Sequence, residues 1–189
     1  MKTLLKDGLT LVELLIAVAL IGILAVGISS LATYANFFLV SSDRRAQVQN
    51  EASFVLEHMA KHLGQAISSV DYPGVIMLGT SRIRVRLDRN GNGQPDDDGA
   101  NDWIAYIYDS GLNTITFYSQ CSASAWPGGA GEILTEQASD FQVSYASADN
   151  YIFAYITTCW DADSPDCGSI NIPESFMQAR FALPAVSIN

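Results

Sequence analysis

The residues with the clearest potential for chemistry lie in one acidic segment, residues 88–102, which holds five Asp and three Asn but a single Arg. Oxygen-bearing side chains at alternate positions, followed by a turn-forming glycine, are typical of a calcium-binding loop, because Ca²⁺ takes about six to eight oxygen ligands. Gly93 occupies the turn position. The predicted ligands are Asp88, Asn90, Asn92, Gln94 through its backbone carbonyl, Asp96 and Asp98.

The segment departs from an EF-hand at its end. Gly99 stands where an EF-hand loop carries its bidentate Glu, so Asp97, Asp98 or Asp102 would have to replace that ligand. The alternative is a solvated acidic turn between two strands, since Asp, Asn and Gly are common turn residues. Carboxylates this close repel one another unless a cation is present, which favours calcium.

Three cysteines offer a disulfide. Cys159 and Cys167 bracket a loop rich in Asp, Ser and Pro, and their pairing is the first choice. Pairing of Cys121 with either of them is the alternative, and one thiol remains unpaired in each case. The sequence contains no CxxC, so zinc ligation by cysteine is not expected.

Glu13 is a carboxylate at the edge of a long uncharged segment. Residues 14–42 carry no charged side chain, and the first half of that segment is almost wholly aliphatic. It is longer than the apolar core of about 7–15 residues in a secretory signal peptide and matches the roughly 20 residues of a membrane-spanning helix. A carboxylate in such a place usually marks a function with a partner; otherwise Glu13 reaches back to the lipid headgroups.

The remaining polar residues give no enzyme signature. His58 and His62 share a helix face, but Met59 excludes HExxH, so solvated or interfacial histidines are favoured over a metal clamp. There is no nucleophile elbow, phosphate loop or dinucleotide fingerprint. With 20 acidic and 10 basic residues among 189, the chain has a net charge of −10 and is not expected to bind nucleic acid.

These residues need elements to position them, and the pattern predicts an α+β chain. Apolar residues continue at helical spacing to about Ser69, and an antiparallel sheet follows. The predicted segments are a helix over residues 9–42 that is apolar all round, an amphipathic helix over 43–69 and a β-rich domain over 70–189. The predicted strands are residues 82–87, 103–108, 114–118, 141–145, 151–157 and 176–183, with a loop over 122–131.

The first 27 residues, MKTLLKDG followed by LTLVELLIAVALIGILAVG, resemble the type IV prepilin signal. The resemblance implies that a membrane peptidase removes residues 1–8, cutting between Gly8 and Leu9, and that Leu9 is N-methylated. Glu13 would then be the fifth mature residue, whose carboxylate pairs in the family with the free N-terminal amine of a neighbouring subunit. Leu9 stands where Phe is usual, and Ser30 where major pilins often carry Pro.

The order of elements is also similar to that of minor pilins of the PilW kind and J-type pseudopilins. The resemblance implies a pilin fold and a structural subunit of a type IV pilus or type II secretion pseudopilus that acts in assembly or priming. Its partners would be other subunits, the prepilin peptidase, the inner-membrane assembly platform and, before assembly, membrane lipid. The chain would be single-pass in a bacterial inner membrane, with the sheet domain outside the cytoplasm, and then in a periplasmic or extracellular filament. The alternative is a pilus-displayed, calcium-dependent adhesin or receptor module.

Overall fold

The computed structural model describes residues 10–67, 74–89, 103–122 and 125–183, and these form one α-helix followed by eight strands. The α+β class expected from the sequence is confirmed. The elements are α1 (Leu11–Leu63), β1 (Val75–Leu78), β2 (Arg82–Arg86), β3 (Trp103–Asp109), β4 (Thr114–Cys121), β5 (Glu132–Thr135), β6 (Ala138–Ala146), β7 (Tyr151–Cys159) and β8 (Glu174–Ala182).

The two parts of α1 differ in what covers them. Contacts along the chain divide it into two units, residues 1–42 and residues 43–189. In the first unit the described helical side chains up to Val40 are exposed. In the second unit one face of the helix is buried at the spacing predicted for an amphipathic helix. The buried residues are Val48, Ala52, Val55, Leu56, Met59 and Leu63.

The helix ends at Leu63, earlier than the predicted Ser69. The cause is backbone pairing with the strand that follows. Ala66 forms an isolated antiparallel bridge with Leu87, and the Ile67 amide donates to the Arg86 carbonyl at 3.0 Å. This pairing requires extended backbone, so the residues after Gly64 leave the helix.

The strands form two antiparallel sheets, where the sequence suggested one. The first has the order β1-β2-β3-β4-β5 and the second β6-β7-β8. The change of sheet occurs at residues 136–137. The Gln137 amide bonds the Thr135 hydroxyl at 3.1 Å, and the Gln137 carbonyl accepts from the Cys159 amide at 2.8 Å. These bonds direct β6 toward β7 and away from β5.

The larger of two buried apolar clusters in the described residues lies between the buried face of α1 and the inner faces of both sheets. It forms because alternate residues of each strand point inward, as the sequence of residues 82–87 predicted. Its fully buried members of largest volume are Tyr106, Phe141, Met59, Leu63, Ile83, Ile104, Ile115, Ile152 and Ile156.

The opposite face of β2 is also covered. Arg84 is only 5% exposed, and its Nη1 donates to the carbonyls of Ser122 and Ala125, both at 2.7 Å. The guanidinium carbon lies 4.5 Å from the centroid of the Trp126 ring. Since charge-assisted bonds to two carbonyls combine here with cation–π stacking, Ser122, Ala125 and Trp126 of the predicted loop over residues 122–131 are held against the sheet.

His58 and His62 lie on α1, where they are half-buried against β4. Their ring centroids are 4.6 Å apart, and the Phe117 ring is 4.5 Å from His58 and 4.9 Å from His62. His58 Nδ1 is 3.1 Å from the Tyr106 hydroxyl. Burial lowers the pKa of both imidazoles, with Lys61 lowering both further and Glu132 opposing the shift. His58 and Arg89 add to the lowering at His62.

This pair should make stability depend on pH. Imidazoles of the unfolded chain titrate near pH 6.5, and the pKa values of these two are lower in the folded chain. Their contribution to the free energy of unfolding is therefore complete above pH 6.5 and is lost as the pH falls below it. We expect the melting temperature of the chain in detergent, followed by circular dichroism, to fall between about pH 7.5 and pH 5.5. The double variant His58→Gln/His62→Gln removes both histidines of the chain and should lose this step. An equal fall in melting temperature in both proteins would contradict the assignment to the two histidines. Carboxylates would not explain the fall in this range, because they titrate at about pH 4.

Candidate functional site

The candidate site begins at the first turn of α1, where Thr10 and Glu13 form a capping box. The Thr10 amide and hydroxyl both donate to Glu13 Oε2 at 2.9 Å, and the Glu13 amide donates to Thr10 Oγ1 at 3.3 Å. Each side chain thus satisfies a backbone amide that the helix itself leaves without a partner. Sequence analysis missed the role of Thr10, although a Thr three residues before a Glu at a helix start is the signal for it.

The helical surface after Glu13 is mostly apolar, and three of its hydroxyl side chains bond to the helix itself. The hydroxyls of Ser29, Ser30 and Thr33 donate to the carbonyls four residues earlier at 2.8–2.9 Å. Glu13 is the only charged side chain from Leu11 to Ser42. In the part of the chain that the structure describes, α1 is also the one helix long and apolar enough to cross a membrane, which is consistent with a membrane anchor.

The processing residues Gly8 and Leu9 lie outside the described residues, which begin at Thr10. The predicted cleavage and methylation therefore rest on the sequence. The structure adds that helical backbone begins two residues after Leu9, at Leu11.

The Cys159–Cys167 disulfide favoured by the sequence is present, with the Cα atoms 6.0 Å apart. It closes a loop that contacts the second half of α1. Arg44 Nη1 donates to the Asn171 carbonyl at 2.8 Å, and its guanidinium carbon lies 5.3 Å from the Trp160 ring centroid. The Arg44 contacts span more than 100 residues of chain, so no local pattern could have indicated them.

Cys121 is the remaining thiol. It is buried beside Trp103 and Ala105 on the outer side of the first sheet. Burial raises the pKa of Cys121 to about 11, although nearby Arg84 opposes the shift. The thiol is therefore protonated at neutral pH and a poor nucleophile.

Of the predicted calcium ligands, only Asp88 is among the described residues; Asn90, Asn92, Gln94, Asp96 and Asp98 lie outside them. Within the described ranges, no group of three or more His, Cys, Asp or Glu side chains could hold a metal ion. The Asp88 amide donates to the Gln65 carbonyl at 3.0 Å, so the acidic segment starts directly beside the end of α1. The calcium site stays a prediction of the sequence.

Comparison with known proteins gives one match, and it falls on the candidate site. Residues 5–29 match the family described as the prokaryotic N-terminal methylation motif. No curated protein and no solved structure matches the chain. The match includes the predicted cleavage bond, the Thr10–Glu13 capping box and the start of the apolar helix. The chain therefore carries a type IV pilin-like prepilin signal, followed by an α+β arrangement consistent with the pilin fold.

Proposed function

We propose that the mature chain is a minor structural subunit of a type IV pilus or type II secretion pseudopilus that acts in filament assembly or priming. The observation that carries the proposal is the methylation motif at residues 5–29, which runs directly into a capped, exposed apolar helix. Minor status and the role in priming rest on the similar order of elements in PilW-like and J-type proteins.

The first step is processing at the membrane. A prepilin peptidase hydrolyses the Gly8–Leu9 peptide bond, which releases the leader and leaves a free amine on Leu9. The same class of enzyme then N-methylates that amine. Leu9 occupies the position where the family usually has Phe. Both side chains are apolar, so we expect the peptidase to accept Leu9.

The second step is docking through Glu13. Both bonds from Thr10 reach Oε2, whereas Oε1 accepts no hydrogen bond from the described residues. A carboxylate has acceptor sites on both oxygens, so Oε1 can receive the ammonium group of a neighbouring subunit while the helix stays capped. Breaking such a charge pair in an apolar setting costs about 3–5 kcal/mol, which favours the docked state over a lone subunit.

The third step is burial of the apolar half of α1 among other subunits. Before assembly, lipid covers this surface, with the chain held by one span in the inner membrane and residues 43–189 outside the cytoplasm. The inner-membrane assembly platform then transfers it into a periplasmic or extracellular filament. The role is structural, and the disulfide and the core fit a stably folded unit over residues 43–189.

The docking role predicts the behaviour of Glu13→Gln, which keeps the shape of the side chain and removes its charge. This variant should be cleaved and should insert in the membrane normally, yet its amount in sheared filaments should fall about tenfold or more. The measurement is the ratio of the chain in sheared and membrane fractions, with intact mass to verify cleavage.

Ser29→Ala is the matched control. It also alters a polar side chain in the apolar half of α1, but the Ser29 hydroxyl bonds only the Ala25 carbonyl of its own helix. We expect wild-type incorporation for it. Wild-type incorporation of Glu13→Gln would remove the docking role, and equal losses in both variants would show that helix damage, not charge, is responsible.

We also propose that the acidic segment binds Ca²⁺, because its oxygen ligands follow the spacing of a calcium loop. Ca²⁺ at about ten times its dissociation constant should raise the free energy of unfolding by about 1.4 kcal/mol. Differential scanning calorimetry of the full chain in detergent, with and without Ca²⁺, measures this. The variant Asp96→Asn/Asp98→Asn should lose the increase, whereas Asp149→Asn, in the β6–β7 turn, should keep it. If Ca²⁺ does not raise the free energy of unfolding of the wild-type protein, the acidic segment is a solvated turn and not a calcium site.

A further inference from the structure

The outer face of the second sheet carries a row of aromatic side chains. On β7, Ile152, Ala154 and Ile156 point into the core, so the residues between them point outward. On β8, Met177, Ala179 and Phe181 pack on the core, and the alternate residues again point outward. We call the resulting surface the outer aromatic face, which consists of Tyr151, Phe153, Tyr155, Phe176, Gln178 and Arg180.

The aromatic rings on this face are accessible. Phe176 is 62% and Tyr155 is 36% exposed, and their rings stack with centroids 6.3 Å apart and planes 27° apart. A shallow depression of about 410 Å³ lies beside them, lined by Phe153, Tyr155, Gln178, Ala179 and Arg180. Exposed large aromatic rings cost free energy in water, so their grouping around a depression indicates a ligand.

Arg180 supplies a cation at one end of the depression. Its guanidinium carbon lies 3.5 Å from the Tyr151 ring centroid and 5.8 Å from that of Phe153. No hydrogen bond or ion pair joins the Arg180 guanidinium group to another residue that the structure describes. Stacking fixes the plane of the guanidinium group while its N–H donors stay available, which suits a carboxylate ligand.

The carboxylates on this face lie away from Arg180. Glu174, which alternates outward with Phe176, is at the other end of β8 from Arg180, and Asp140 on β6 pairs with a neighbouring side chain. Gln142 Nε2 donates to Asp140 Oδ2 at 2.8 Å on β6. The Asp140 carboxylate is therefore engaged at the end of the sheet away from Arg180. The face thus has one available cation beside aromatic rings, on a chain with a net charge of −10.

We propose that the outer aromatic face binds a saccharide that carries a carboxylate. The C–H groups on one side of a pyranose ring carry partial positive charge and pack on the negative face of an aromatic ring, here Tyr155 or Phe176. The amide of Gln178 lies in reach of the depression to bond sugar hydroxyls, and Arg180 pairs with the carboxylate. A nucleic acid is disfavoured, because a single cation on an acidic chain cannot neutralise a phosphate backbone. The inference concerns residues 43–189 and does not rest on filament assembly.

The test is isothermal titration calorimetry on the full chain in detergent micelles. The probes are trigalacturonate and 3′-sialyllactose, each with a neutral match, namely trigalacturonate trimethyl ester and 3′-sialyllactose methyl ester. We expect at least one carboxylated probe to bind with a dissociation constant of about 0.1–1 mM, about tenfold tighter than its neutral match.

Two variants separate the two contributions. Arg180→Gln should bind the carboxylated probe and its neutral match equally, since only the charge is lost. Tyr155→Ala should weaken both about fivefold or more, because the stacking surface is lost. Phe54→Ala is the control, since Phe54 is a similarly exposed ring, at 49%, on α1 in the same folded unit. It should bind as the wild-type protein does.

Several outcomes would overturn the proposal. Failure of the wild-type chain to bind either carboxylated probe would do so, as would equal affinity for charged and neutral probes. An unchanged affinity in Tyr155→Ala or a loss in Phe54→Ala would place the binding elsewhere. If no sugar binds and Tyr155→Ala lowers the chain's amount in sheared filaments, the face is a contact with a neighbouring subunit instead.

Discussion

The structure depends on the need to cover the apolar first half of α1. Between Leu11 and Val40, 18 large apolar side chains each expose 45% or more of their surface. Burying a side chain of this kind stabilises a protein by about 1.5–3 kcal/mol, so the group amounts to roughly 30 kcal/mol or more. This exceeds the net stability of a typical domain, about 5–15 kcal/mol. The segment therefore requires an apolar environment, which lipid or other protein surfaces can supply.

The second half of the same helix buries one of its faces within the chain itself. Its buried face supplies one wall of a core that the strands complete, and Arg44 in the same half of the helix contacts Trp160 of the disulfide loop and the Asn171 carbonyl. Capping by Thr10 secures the helix at its start without using the whole Glu13 carboxylate. One helix thus contributes both an exposed apolar surface and one wall of the core of residues 43–189.

Local patterns predicted much of this fold. The uncharged segment after Glu13 indicated the exposed helix, and strict alternation over residues 82–87 indicated β2. The four-residue strands β1 and β5 were missed, because sequences as short as VIML and EILT contain no clear period. The change of sheet involves the bond from the Cys159 amide to the Gln137 carbonyl, 22 residues away, and the burial of Arg84 depends on a loop that follows some 40 residues later. Such long-range partners leave no local mark. Of the candidate site, the sequence identified Glu13 but not its partner Thr10, and the outer aromatic face was missed although aromatics alternate along β7.

The central claim is that the chain is processed and built into a filament, and intact mass spectrometry tests it most directly. The chain would be recovered from sheared filaments and from membranes of the same cells. The account predicts a sheared-fraction species that starts at Leu9, with 181 of the 189 residues and one additional methyl group. A chain that still carries Met1 to Gly8 and occurs only in membranes would contradict it and would leave a simple membrane anchor.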